Sequence, residues 1–225
     1  MPIENDKLLK PHIIICEGKD DQRFLIWLLN NFAKENNIFD EFQVLSTDGN
    51  EKLQTRLESF YLLPGFDDSK NAVASIAVIF DAEINADATA HSIKNAFRNN
   101  GFAEPQSACS VCSADASYVK FPKIKTGFVL LPGCGEEMKN GKLEDLCINA
   151  LAKENAREIL SESDAALEKF KDQLPRLHKN RLHAYFSMTD EYVAKTIGQA
   201  AQANAFRVDV PAIDSLKSFL LKMHG

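Results

Sequence analysis

Strand-like and helix-like patterns alternate along residues 12–160, and that order leaves few folds open to the chain. Residues 12–17 read as a short buried strand rich in β-branched side chains. A helix is expected over 20–35, where Phe24, Leu25, Leu28, Leu29 and Phe32 recur at helical spacing and Asp20 and Asp21 suit the positive end. Residues 42–46 form a second strand, and Asn50 caps a helix running to about Leu62. The strongest strand is 73–80, followed by a helix over 87–100 that stops near Gly101. Residues 102–125 are irregular, with a short strand near Tyr118-Val119. Another apolar strand covers 126–131, and a helix is expected over 142–160. The remainder is helical, with breaks at Pro175, near Asn204 and at Pro211. Such alternation predicts an α/β fold of Rossmann-like type, with a mostly parallel sheet flanked by helices on both faces. Residues 10–160 would form that domain, and 161–225 a C-terminal helical extension packed on it.

At 225 residues, 45% apolar and 26% charged, the chain can bury a core of normal size without disulfides or a structural metal. Its formal net charge of -6 argues against binding nucleic acid through a general positive field. A phosphate substrate remains open, because bound divalent cations reverse the potential at an acidic site. Five cysteines, Cys16, Cys109, Cys112, Cys134 and Cys147, are an odd number used as small apolar residues, which fits a reducing compartment. The N-terminus lacks a basic start followed by an apolar stretch, and no apolar run approaches a membrane span. A cytoplasmic protein with no membrane partner is therefore expected.

Two of the strands end in carboxylates. Glu17-Gly18-Lys19-Asp20-Asp21 follows the run His12–Cys16, and Asp81-Ala82-Glu83 follows Val73–Phe80. In an open parallel sheet the carboxyl ends of neighbouring strands line one crevice, where ligands bind. Carboxylates gathered there repel one another unless some are protonated or a cation lies between them. Hard oxygen ligands in that number suit Mg2+ or Mn2+. The competing explanation is local: acids favour the first turn of a helix whether or not they bind anything, which applies to Glu17 with Asp21 and to Glu144.

A strand followed by Glu-Gly-x-x-Asp, a strand followed by Asp-x-Asp/Glu, and a later Gly-x-Leu-Glu-Asp on a helix together resemble the Toprim pattern of topoisomerases, bacterial primases and overcoming-lysogenization-defect (OLD) nucleases. The tract Val129-Leu130-Leu131-Pro132 with Gly141-Lys142-Leu143-Glu144-Asp145 is similar to a family of small bacterial Toprim-like proteins known as DUF3226, whose function is not settled. The resemblance covers roughly residues 10–160 and implies a Toprim-like domain. It implies that Glu17 is an acid/base candidate or metal ligand, that Glu17 and Asp21 match the OLD-type extension, and that Asp81 and Glu83 stand where the paired metal ligands do. Glu83 departs from the usual aspartate. The third acidic element matches Glu144, with Asp145 beside it, and the charge-stabilising lysine finds its nearest match in Lys179. The implied activity is Mg2+- or Mn2+-dependent phosphodiester hydrolysis of nucleic acid, with Glu17, Asp81 and Glu83 holding a first ion and Asp21 and Glu144 completing a second site. The alternative is a non-catalytic module that holds a metal and a nucleotide or nucleic-acid end. Lacking the ATPase domain of full-length OLD-type proteins, the chain is expected to work with a separate ATPase partner, and a homo-oligomer is also open.

Other motifs carry less. Cys109-Ser110-Val111-Cys112 with Cys134 and Cys147 has poor spacing for a zinc site, and ordinary thiols explain it. Gly133-Cys134-Gly135 is no P-loop, since Gly141-Lys142 is followed by Leu143. Arg176, His178, Lys179, Arg181 and His183 form a basic stretch, either a solvated helix face or a contact for a phosphate backbone. Lys120, Lys123 and Lys125 form a smaller patch.

Overall fold

The computed structural model describes residues 7–66, 72–113, 119–133, 140–170, 172 and 177–225. Among the described residues five strands form one sheet: β1 (His12–Cys16), β2 (Phe42–Ser46), β3 (Ser75–Asp81), β4 (Val111–Cys112) and β5 (Lys125–Leu131), in the order β2-β1-β3-β5-β4. The first three ladders are parallel, and only the two-residue edge strand β4 runs antiparallel to β5. In the parallel ladders Cys16 is level with Ser46 on one side and Ile79 on the other, while Asp81 is level with Leu131.

Side-chain alternation divides the core into two halves. Ile14, Cys16, Ala77, Ile79, Val129 and Leu131 face one way, where they pack under α1 (Lys19–Ala33), α4 (Leu143–Asn149) and α8 (Pro211–His224). Ile13, Ile15, Ile76, Val78, Phe80, Phe128 and Leu130 face the other way, under α2 (Leu53–Phe60) and α3 (Ala86–Asn99). Strands buried on both faces need uninterrupted apolar runs rather than alternating ones, which is what β1, β3 and β5 carry. The result is a Rossmann-like arrangement, a mostly parallel sheet between two layers of helices. Among the described residues no helix is long and apolar enough to cross a membrane.

The C-terminal helices α5 (Ala156–Glu168), α6 (Leu177–Ser187), α7 (Ile197–Gln202) and α8 lie on the α1 side. Their residues Leu160, Leu182, Phe186, Ala200, Phe219 and Met223 belong to the same apolar cluster as the sheet. α8 approaches β5 where the strand has no side chain: a Cβ on Gly127 would lie 2.8 Å from both Met223 Sδ and Phe219 Cε2. Asp20, one of the acids expected at the start of α1, reaches across to the start of α7. Its carboxylate accepts hydrogen bonds from Thr196 Oγ1 (2.7 Å) and from the N–H groups of Ile197 and Gly198 (both 2.9 Å).

The expected helix over 142–160 is two helices, α4 and α5, because the backbone between them is used elsewhere. Ala152 N–H donates to Ala205 O and Arg207 N–H donates to Ala150 O, forming a bridge between Leu151 and Phe206. A tertiary pairing thus overrides a local helical pattern. The short strand expected near Tyr118-Val119 is also displaced: Val119 is irregular, Tyr118 lies outside the described residues, and the strand is Val111–Cys112. Asn50 opens a 3-10 turn (Asn50–Lys52) ahead of α2 instead of capping it. Pro211 begins a helix, at the one end where proline loses no hydrogen bond. Pro175 lies outside the described residues.

Candidate metal centre

The connections out of β1 and β3 run in opposite directions across the sheet, from β1 to β2 on one side and from β3 towards β5 and β4 on the other. The crevice between their carboxyl ends is the switch point at which open α/β sheets bind ligands. Glu17 immediately follows β1, Asp81 ends β3, and Glu83 comes two residues later. One carboxylate oxygen from each of these three lies within 4.8 Å of the others. Six-coordinate Mg2+ holds its oxygens at about 2.1 Å, so cis ligands stand ~3.0 Å and trans ligands ~4.2 Å apart, and the three oxygens would draw together around a bound ion.

The backbone around each ligand is held. Glu17 O accepts from Gly49 N–H (3.1 Å) and Thr47 Oγ1 (3.2 Å), which ties the end of β1 to the loop after β2. Glu83 has a left-handed backbone (φ 58°) and exchanges two 2.9 Å hydrogen bonds with Gly141, N–H to O in each direction. Gly141 (φ 149°) has no room for a side chain: a Cβ there would sit 2.7 Å from Pro132 Cδ and 2.8 Å from Asp145 Oδ2. That clasp brings the start of α4 against the end of β3. Leu143 N–H donates to Asp81 Oδ1 at 2.8 Å, and Lys142 N–H donates to Asp145 Oδ2 at 2.9 Å.

Asp21 and Glu144 complete the acidic surroundings. Asp21, in the first turn of α1, accepts from Gly18 N–H at 3.1 Å. Glu144 is 4% exposed in the first turn of α4 and faces Lys179 Nζ at 3.6 Å. Lys179 therefore stands beside the acidic group, on α6. A second cation, given no role by the sequence motifs, is Lys142: its Nζ donates to Glu83 Oε1 at 2.7 Å and lies 4.0 Å from Asp81 Oδ2. Its signal was present as the basic residue between Gly141 and the acidic helix start, but only the Glu83–Gly141 pairing shows where it points.

Charge in the crevice remains unbalanced. Burial, then the charge of Asp21, pushes the Asp81 carboxyl up to about 8, with Glu144 and Glu17 adding to the rise and the Leu143 N–H opposing it. Glu17 is raised by burial and by Asp21 and Glu83, against Lys142. Asp21 is raised chiefly by burial, its backbone hydrogen bonds opposing and Glu144 adding. Burial draws the Lys142 ammonium down, but its hydrogen bond to Glu83 and the neighbouring carboxylates outweigh this and raise it. Glu17 Oε2 is buried with no hydrogen-bond partner. A buried carboxylate oxygen left without a donor is costly, and a cation shared with Asp81 and Glu83 would remove that cost. The donor set, carboxylates only, fits Mg2+ or Mn2+.

The remaining sequence features do not join this group. Among the described residues no cysteine belongs to a cluster of metal-ligating atoms. Cys134 and the loop over 134–139 lie outside the described residues, as do Arg176 and the side chain of His178. Arg181 is committed to Asp164 by two 2.6 Å hydrogen bonds, so the basic stretch is divided between two acidic partners. Lys120 and Lys123 line a cavity of about 510 Å3 with Tyr61, Phe66 and Phe121. That cavity lies by Val73 and Ile124, ahead of β3 and β5, at the far end of the sheet from the carboxylates.

The family described as "Protein of unknown function (DUF3226)" matches residues 11–224, nearly the whole chain. The chain belongs to that family. No curated protein and no solved structure matches it.

Proposed function

We propose that this member of the DUF3226 family is a divalent-metal-dependent phosphodiesterase acting on nucleic acid, with its active site in the crevice between β1 and β3. One observation carries the reading: Glu17, Asp81 and Glu83 converge within 4.8 Å at a topological switch point, and Glu17 Oε2 is buried without a partner. The Toprim-like order of the acidic motifs supports the reaction class. Glu17, Asp81 and Glu83 would hold the first cation, and Asp21 and Glu144 would supply a second. A divalent cation bound there polarises a phosphate and lowers the pKa of water. The rise in the Glu17 pKa, caused by burial and by Asp21 and Glu83, favours a divalent cation that would relieve it. Lys142 beside Glu83 and Lys179 beside Glu144 bring positive charge to the carboxylates and would neutralise charge developing on the phosphate. Asp20 takes no part, since its carboxylate is spent on the start of α7.

A second reading has its own support. Lys142 already pairs with Glu83 and approaches Asp81, and glutamate stands at the second ligand position. Both features fit a module that binds a metal and a nucleic-acid end without cutting it. Incubating supercoiled plasmid and single-stranded DNA with Mn2+ separates the two. Cleavage by wild type that disappears in Glu17→Gln supports the enzyme. Metal-dependent binding without cleavage supports the module, and cleavage that persists in Glu17→Gln refutes the assignment.

A further inference from the structure

A second set of ligating groups lies at the opposite end of the sheet. His12 begins β1, Glu41 ends the 3-10 turn Asn37–Glu41 just before β2, and His224 is the last residue of α8. Their ligating atoms all fall within 4.8 Å of one another. Glu41 Oε2 is the hub: it stands 3.8 Å from His12 Nε2 and 3.4 Å from His224 Nε2. The two imidazole rings lie side by side, with centroids 4.8 Å apart.

We propose that His12, Glu41 and His224 form a second metal site, for a cation of the Zn2+ class, which clasps the end of α8 to the start of the sheet. Zn2+ binds imidazole nitrogen and carboxylate oxygen at ~2.0–2.2 Å in a tetrahedron, whose ligand atoms stand ~3.3–3.5 Å apart. The 3.4 and 3.8 Å edges to Glu41 lie close to that spacing, and the two histidine nitrogens lie within 4.8 Å of each other. Two imidazoles and one carboxylate suit Zn2+, whereas the all-carboxylate crevice suits Mg2+ or Mn2+.

The surroundings resemble a built site. His12 is 5% exposed, and its Nδ1 lies 2.8 Å from Ser75 Oγ, the first residue of β3. In the tautomer in which Nδ1–H donates to Ser75, Nε2 presents its lone pair towards Glu41. A metal-ligating histidine is usually oriented by a hydrogen bond of this kind on its other nitrogen. Phe42 packs against the His12 ring at 5.1 Å between centroids and further restricts it. Glu41 is half exposed and His224 partly exposed, so solvent reaches the site and can supply the fourth ligand. Local sequence spacing gives no hint of the cluster, because the three residues come from the two ends of the chain and the loop before β2. The site does not depend on the crevice and stands or falls separately from it.

The test uses the full chain, stripped with a chelator and titrated with Zn2+ and with Co2+, whose visible spectrum reports tetrahedral coordination. Wild type should bind one equivalent with a tetrahedral Co2+ spectrum and melt at a higher temperature with Zn2+. His224→Ala and Glu41→Gln alter solvent-accessible side chains and should remain folded by circular dichroism. Each should weaken binding by at least about tenfold, and Ser75→Ala should weaken it by ~10-fold through loss of the orienting bond. Asp81→Asn should leave this equivalent in place. The proposal is overturned if wild type shows no tetrahedral Co2+ spectrum, if His224→Ala and Glu41→Gln bind as wild type does, or if Asp81→Asn abolishes the signal.

Discussion

Replacing Asp81 by asparagine removes one negative charge from the crevice and keeps an oxygen where Asp81 Oδ1 accepts the Leu143 N–H. Its side chain is 13% exposed and its pKa is pushed up to about 8 from the ordinary 3.8. Between those two values the folded protein holds a proton that the unfolded chain has released. Stability from this group is therefore full below pH 3.8 and is lost as pH rises towards 8. From 3.8 to pH 7 is ~3 pH units at ~1.4 kcal/mol each, so the metal-free wild type carries a penalty of up to ~4 kcal/mol at neutral pH. Asparagine does not titrate and escapes it. Metal-free Asp81→Asn should accordingly melt ~5–10 °C above metal-free wild type at pH 8, for a gain of ~2–4 kcal/mol in a chain of this size. The difference should shrink towards zero near pH 4. The assay is thermal unfolding by circular dichroism in chelator across that pH range. A variant less stable than wild type at pH 8, or a difference that does not depend on pH, would refute the electrostatic account of the crevice.

Three further substitutions probe its parts. Lys142→Gln removes the ammonium that already occupies the metal's side of Glu83, so Mn2+ affinity should rise about tenfold, ~1.4 kcal/mol, while any cleavage slows. Titration calorimetry checks the first outcome and a gel assay the second. Gly141→Ala forces a side chain into a left-handed backbone against Pro132 and Asp145; it should cost ~1–3 kcal/mol in chemical denaturation and weaken metal binding by misplacing Glu83. Gly127→Val drives a branched side chain into Phe219 and Met223; it should cost ~1–3 kcal/mol or more and loosen α8, seen as faster amide exchange there.

Much of this architecture was readable from local pattern. The bounds of β2 match the apolar run at 42–46, and β1, β3 and β5 fall within a residue or two of theirs, because continuous apolar runs bury both faces of a strand. The convergence of Glu17 and Asp81 also follows from order, since residues just past the ends of adjacent parallel strands must share one crevice. What could not be read depends on partners remote in sequence. The helix after β5 breaks because Ala150 and Ala152 hydrogen-bond to the segment around Phe206. Asp20 and Asp21 both suit the start of α1, and the contact of Asp20 with α7 depends on residues far along the chain. Lys142 stands in sequence between Gly141 and the acidic start of α4, but its pairing with Glu83 depends on the remote bridge between Gly141 and Glu83.

Calorimetric titration of Mn2+ into chelator-stripped wild type and Asp81→Asn tests most directly whether the crevice holds a divalent cation. Wild type should give a saturable heat that is absent or at least tenfold weaker in the variant, since Asp81 supplies one of the three converging oxygens. Equal heats in both proteins, or none in either, would contradict it.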